Sequence, residues 1–185
     1  MSLTLKQSLM HAYFRDLDAR NTSSAENTLI FDYIPEEISD SKTANYNYVD
    51  IPGRSEPIIG YTNSSLREFS IHLMFMAGIG QRSHPSGQVD DAFAVKQKVD
   101  WLRSLTYPDY SGQYVRPPHK VLFSIGQLIK SVCIIPSVNV VYKGPWSTDL
   151  LPYLAEIDIT LQEVNGVPLG LTEVRNGYLN ISGDY

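Results

Sequence analysis

A regular two-residue alternation runs through residues 151–164, cleanest from Leu151 to Leu161, and constrains the fold more than any other feature of the sequence. Apolar side chains occupy every second position, namely Leu151, Tyr153, Ala155, Ile157, Ile159 and Leu161. The positions between them hold Leu154, Glu156, Asp158, Thr160 and Gln162. Because successive side chains of a β-strand point to opposite faces of a sheet, this pattern predicts a long strand with one core face and one polar face.

Other segments carry weaker strand signals. Residues 42–49 alternate and predict a half-buried strand, and residues 66–76 predict a long strand with Phe69, Ile71, Leu73 and Phe75 on one face. Residues 120–125 and 129–142 predict two more, and Pro136 in the second requires a bulge, a break or an edge position. Short apolar runs near 29–31 and 57–61 add further strand signals, and Pro52-Gly53 predicts a turn between residues 42–49 and 57–61. In all, the sequence predicts about seven strands.

Two segments show the helical period instead. Residues 89–105 place apolar side chains at Ala92, Val95, Val99 and Leu102, and predict one covering helix. Residues 1–27 carry a similar stripe at Leu5, Leu9, Ala12 and Tyr13, and predict a helical arm that packs on its own domain or docks on a neighbouring subunit. We therefore divide the chain into this arm, an antiparallel β domain at 28–164, and a C-terminal extension at 165–185.

Composition narrows the function classes. The 185 residues carry 20 acidic and 15 basic side chains, a formal charge of −5, which argues against a broad nucleic-acid surface. The single cysteine excludes an intramolecular disulfide and argues against a cysteine-built zinc site. No apolar run approaches the roughly 20 residues that span a bilayer, and the first residues do not predict a signal peptide.

No residue set predicts catalysis, a metal or a cofactor. The four histidines, His11, His72, His84 and His119, share no metal-binding spacing. His72 is predicted to be partly buried and structural, and Cys133 lies in an apolar strand as a small hydrophobe. Glu156 and Asp158 sit only about 6.5 Å apart along one strand, whereas glycoside hydrolysis needs carboxylates opposed across a cleft.

The order of several motifs resembles a known family. They are FDYIPEEISDSKTANY at residues 31–46, the strand at 66–75, PPHKVLFSIG at 117–126, and the strands at 130–142 and 154–164. Together they resemble the tube-like domain of contractile injection systems and contractile phage tails. Ile125 stands where that family often has Trp. Many members end in a LysM module, for which the 21 residues after Val164 are too few, so cell-wall binding is not implied.

The resemblance implies a fold and a role. The fold is a rolled antiparallel sheet or β-barrel of the tail-tube type with one flanking helix. The role is a structural subunit of the virion tail, without enzymatic activity, that forms a ring, sixfold by resemblance, in the baseplate or at the start of the tail tube. Its partners are other copies of itself, the tail tube and the baseplate hub proteins. The residues expected at the subunit interface or facing the lumen are Tyr142, Trp146, Leu154, Glu156, Asp158, Thr160 and Gln162.

Two other functions remain open from the residues alone. A monomeric β-barrel binding module could use its tyrosines and Trp146 to hold a ligand or a protein partner. A hydrolase could use Glu156 or Asp158. A ring in solution favours the structural subunit, a stable monomer with a concave aromatic pocket favours the binding module, and opposed carboxylates in a pocket favour the hydrolase.

Overall fold

The computed structural model describes residues 12–19, 27–77, 91–110, 114–164 and 169–175. In chain order the elements are β1 (Ala12–Asp16), β2 (Thr28–Ile30), β3 (Ile38–Ser41), β4 (Ala44–Val49), β5 (Ile58–Ser64), β6 (Glu68–Met76), α1 (Asp91–Ser104), β7 (Val121–Ile125), β8 (Ile129–Trp146), β9 (Pro152–Glu163) and α2 (Leu171–Arg175).

Seven of these strands form one antiparallel sheet, in the order β2-β1-β7-β8-β9-β6-β3. The predicted mainly β class is therefore confirmed, and the long alternating strand appears as β9. The prediction for Pro136 is confirmed as well, because the β8–β9 register shifts between Ile134 and Ser137. The remaining two strands, β4 and β5, form a separate antiparallel hairpin.

The large sheet is strongly curved. Phe69 on β6 and Phe123 on β7 belong to strands three places apart, which would separate them by about 14 Å in a flat sheet. Their ring centroids are only 5.7 Å apart. Phe14 joins them, 5.3 Å from Phe123, and all three rings are fully buried. The sheet therefore rolls around an aromatic core, and its strand order ends at β2 and β3.

The predicted helix is present as α1. Val95, Val99 and Leu102 are at most 1% exposed and face the sheet, where the helix packs mainly on β9. The opposite side of the helix carries an exposed ion pair between Lys96 and Asp100, one helical turn apart. The amphipathic period read from the sequence thus corresponds to a helix that covers one face of the sheet.

The prediction of a helical N-terminal arm is wrong for the part of it that the structure describes. Ala12–Asp16 form β1, which pairs with both β2 and β7. Ala12 and Phe14 point into the core, with 5% and 0% exposure. The helical stripe places Ala12 and Tyr13 on one face, whereas the strand places Ala12 and Phe14 there, and pairing with β7 decided between the two periods. Residues 1–11 and 20–26 lie outside the described residues.

The strand predicted at 42–49 exists as β4, but the prediction that it is half-buried is wrong. All its side chains are exposed because it pairs only with β5. The predicted turn at Pro52-Gly53 is confirmed between these strands, where Gly53 has a φ of 84° that favours glycine. Within the extension at 165–185, Leu171–Arg175 form the short, fully exposed helix α2.

Candidate assembly surface

The face of the sheet opposite α1 gathers most of the predicted interface residues. Across β6, β9 and β8, one side carries the buried residues Phe69, Ile71, Ala155 and Ile157. On the other side β9 presents Leu154, Glu156, Asp158, Thr160 and Gln162, all partly or fully exposed. The alternation read from the sequence is thus confirmed, and five of the seven predicted residues share one polar face.

Neighbouring strands supply hydrogen-bond partners to two carboxylates of this polar face. His72 Nδ1 on β6 lies 2.7 Å from Asp158 Oδ1, and Lys143 Nζ on β8 lies 2.6 Å from Glu156 Oε1. Both contacts join residues that sit directly opposite or diagonal in the ladder. His72 is exposed here, so the prediction that it is partly buried is wrong. Glu156 and Asp158 lie side by side along one strand rather than across a cleft.

The other two predicted interface residues lie elsewhere. Tyr142 pairs with Ala155 and therefore points to the helix side, where the Arg103 guanidinium lies 5.7 Å from its ring centroid. Trp146 ends β8 and is 52% exposed beside the turn that leads to β9. The structure thus does not place Tyr142 on the face that carries Glu156 and Asp158.

Strand β8 continues well beyond the strand that pairs with it. β7 covers it only from Ile129 to Cys133, so Ile134–Trp146 has no described strand on that side. Odd-numbered β9 residues turn their backbone groups toward β6, as the bond from Glu163 N–H to the Arg67 carbonyl shows. Even-numbered β9 residues therefore bond to Ser137, Asn139 and Val141, and the intervening residues of β8 direct their backbone groups outward.

Strand β6 has a second uncovered edge on the opposite side of the same sheet. Its pairing with β3 ends at Ile38 and Ile71, whereas its pairing with β9 continues to Met76. Residues 72–76 therefore have no described strand on their outer side. Soluble proteins usually pair, cover or charge such edges because unpaired backbone groups recruit another strand.

The β4–β5 hairpin is a third exposed feature. From here on we call this hairpin, and not the predicted N-terminal helical segment, the arm. It continues the β3–β6 pair and carries no charged residue in residues 44–49 or 57–64. Tyr46 and Tyr48 lie opposite Tyr61 and Ile59, and these four side chains share one face with 51–61% exposure. Neither strand packs substantially on any other described element. An isolated hairpin is marginally stable in water, so an apolar face of this kind favours a partner.

The arm was not predicted from the sequence as an interaction element. A strand was predicted at 42–49 and a short apolar segment at 57–61, but the two were not paired. The uncharged composition on both sides of a Pro-Gly turn was the available signal. A two-stranded ribbon and a core hairpin share that signal, and what distinguishes them is that the arm packs on no other described element to a substantial extent.

The remaining candidate residues are structural in their geometry. Cys133 is fully buried, and burial raises the pKa of its thiol to about 12. His119 Nδ1 lies 2.8 Å from Asp16 Oδ2, which joins the approach to β7 to the end of β1. His11 and His84 lie outside the described residues. Within the described ranges no cluster of His, Cys, Asp and Glu could hold a metal ion.

Comparison with protein-family models and with curated proteins found no match for this chain. Among the helices of the described residues, neither is long and apolar enough to cross a membrane.

Proposed function

We propose that this chain is a structural subunit of a contractile phage tail or a related injection machine, and that it forms a ring in the baseplate or at the start of the tail tube. The observation that carries the proposal is a pair of edges, on opposite sides of the β8–β9–β6 sheet, at which no described strand pairs. The order of the sequence motifs, which resembles the tube-like domain, supplies the biological setting.

The two edges suit head-to-tail assembly. An interface between two different patches of identical subunits generates a ring when the rotation closes. β8 and β6 both run antiparallel to β9 and are therefore parallel to each other. In a ring whose axis follows the strands, β8 of one copy meets β6 of the next as a parallel pair. Closure pairs residues 72–76 with part of the open stretch of β8, so the backbone groups at both of these edges gain partners.

The polar face and the arm fit the same assembly. In the ring, α1 lies outside and the face with Glu156 and Asp158 lines the lumen, where its ion pairs remain hydrated. The arm is about 20 Å long, given about 3.3 Å for each of six residue pairs. A ribbon of that length with an exposed apolar face suits contact with another copy, the tail tube or the hub.

Electron cryo-microscopy of the purified protein, over a range of concentrations, tests the proposal. We expect closed rings in which residues 134–146 of one copy lie beside residues 72–76 of the next. A particle with β8 on the outside, away from every subunit contact, contradicts it. A chain that stays monomeric at every concentration, and binds a ligand through Trp146 and the tyrosines, favours the binding module instead.

A further inference from the structure

The edge of β6 at residues 72–76, where no described strand pairs, lies next to a non-strand segment that runs along it. Residues 32–37, which we call the strap, connect β2 to β3 and run alongside residues 72–76. Tyr33 Oη donates to Met76 Sδ at 3.9 Å, so the far end of the strap stays close to the far end of the strand. Between these points a cavity separates the two, lined by Tyr33, Ile34, Pro35, Glu36, Glu37, His72 and Met74.

Pro35 explains why the strap does not become a strand. Extending the register from Ile38 and Ile71 places Pro35 opposite Met74. Even-numbered β6 residues direct their backbone groups toward the strap, because Ala77 N–H bonds in the other direction to the Tyr153 carbonyl of β9. Met74 therefore faces a residue that has no N–H to donate. The strap covers this position and leaves its backbone groups unpaired.

A buried ion pair fastens the strap. Asp32 Oδ1 lies 2.5 Å from Lys98 Nζ on α1, and the Asp32 side chain is only 3% exposed. Its other oxygen, Oδ2, is buried without a hydrogen-bond partner in the described part of the chain. Burial raises the pKa of the Asp32 carboxyl, against the opposing effects of Lys98 and of a hydrogen bond from the Met76 backbone. The carboxylate is thus costly to keep in place without its lysine.

We propose that the strap guards the β6 edge in the free subunit and moves aside when β8 of a second copy occupies that edge. This inference rests on the proposed ring and adds a regulated step to it. The guard prevents untimely pairing of an edge that must remain competent for assembly. Its fastening is reversible because it consists of a few side-chain contacts, chiefly the Asp32–Lys98 ion pair and the Tyr33–Met76 hydrogen bond, rather than a ladder of backbone hydrogen bonds. Its proline keeps it from sealing the edge permanently.

Thiol labelling of the monomer tests the guard without requiring a ring. A cysteine introduced by Met74→Cys lies beneath the strap, and Cys133, fully buried with a pKa raised to about 12, reports any global unfolding. Adding Lys98→Met should accelerate labelling of position 74 about tenfold, which corresponds to a weakening near 1.4 kcal/mol. Lys96→Met, on the exposed face of the same helix, should leave the rate unchanged. Equal rates in all three proteins overturn the guard.

A disulfide that locks the strap tests its role in assembly. Glu37 and His72 are opposite residues in the extended register and line the same cavity. In the variant with Glu37→Cys and His72→Cys, oxidation should abolish the assembly that the reduced form of the same variant shows. The reduced form is thus the control for the loss of the His72 side chain itself. Rings from the oxidised protein overturn the guard and leave the ring proposal intact. If the unmodified chain forms no ring, the ring proposal fails, and the labelling experiment still decides whether the strap opens.

Discussion

His119 Nδ1 lies 2.8 Å from Asp16 Oδ2, so a hydrogen bond joins the segment that leads into β7 to the end of β1. Asp109 Oδ2, on the segment after α1, lies 3.9 Å from the other imidazole nitrogen. Asp18 accepts the adjacent Lys120 N–H at 2.9 Å. One imidazole thus lies among carboxylates from separate segments and helps to fix β1 in the sheet.

The stability of the fold should depend on the charge of His119. The hydrogen bond to Asp16, reinforced by the charges of Asp16, Asp18 and Asp109, raises the His119 pKa above its ordinary value of 6.5. A pKa raised on folding stabilises the protein fully below the unfolded pKa, and this stabilisation is lost as pH rises through the folded pKa. We expect the free energy of unfolding to fall above pH 6.5, as measured by urea denaturation.

Two variants assign this pH dependence to the His119 contact. His119→Gln should flatten the fall in unfolding free energy, and Asp16→Asn should reduce it because the amide no longer attracts the imidazolium. Identical pH profiles for the wild-type protein and His119→Gln would contradict the assignment.

Val140→Pro should prevent ring assembly and leave the subunit folded. Val140 directs its backbone N–H to the open edge of β8, because Asn139 and Val141 supply the bonds to β9. Proline removes that outward donor and is tolerated at an edge. Analytical ultracentrifugation measures assembly, and circular dichroism measures the fold. Val140→Ala, which keeps the N–H and removes most of the side chain, is the matched control and should assemble.

Tyr48→Ser should weaken assembly at almost no cost in stability. Tyr48 is 61% exposed, and the arm that carries it packs on no other described element to a substantial extent. Loss of its aromatic side chain should therefore change the unfolding free energy by less than about 0.5 kcal/mol. Sedimentation should show fewer or smaller assemblies than the wild-type protein forms. Asn47→Ser, on the opposite face of the same strand, is the control. A large loss of stability in Tyr48→Ser would show that the arm packs on the body.

Leu102→Ala should destabilise the domain by about 2–5 kcal/mol, since it removes a fully buried side chain between α1 and the sheet. Phe93, on the same helix, is 43% exposed, and Phe93→Ala should cost less than about 1 kcal/mol. Urea unfolding of both variants checks the contrast. Equal losses would mean that α1 packs through a different face.

Much of the fold could be predicted from local patterns. The alternation in β9 and β6 and the helical period at Val95, Val99 and Leu102 each require only the geometry of one element. The positions of Glu156, Asp158, Thr160 and Gln162 on one face followed from the same alternation. Pro136 predicted an irregularity in β8, because proline has no N–H to donate to a strand ladder.

Pairing between distant segments could not be predicted in this way. Ala12 and Tyr13 fit the helical stripe that starts at Leu5 and Leu9, but pairing with β7 makes residues 12–16 a strand, which directs Ala12 and Phe14 into the core. Tyr142 lies on the face opposite Glu156, because the bulge near Pro136 shifts the β8–β9 register by one residue and pairs Tyr142 with Ala155.

The sequence by itself determined which segments alternate, which helix is amphipathic and where proline interrupts a strand, since these depend on neighbours along the chain. The tertiary structure alone decided three features of the described residues: parts of β8 and β6 lack a neighbouring strand, the arm packs on no other element to a substantial extent, and Lys98 meets Asp32. These features depend on which distant residues lie side by side in the curved sheet. Two residues 66 positions apart leave no local pattern that announces their contact.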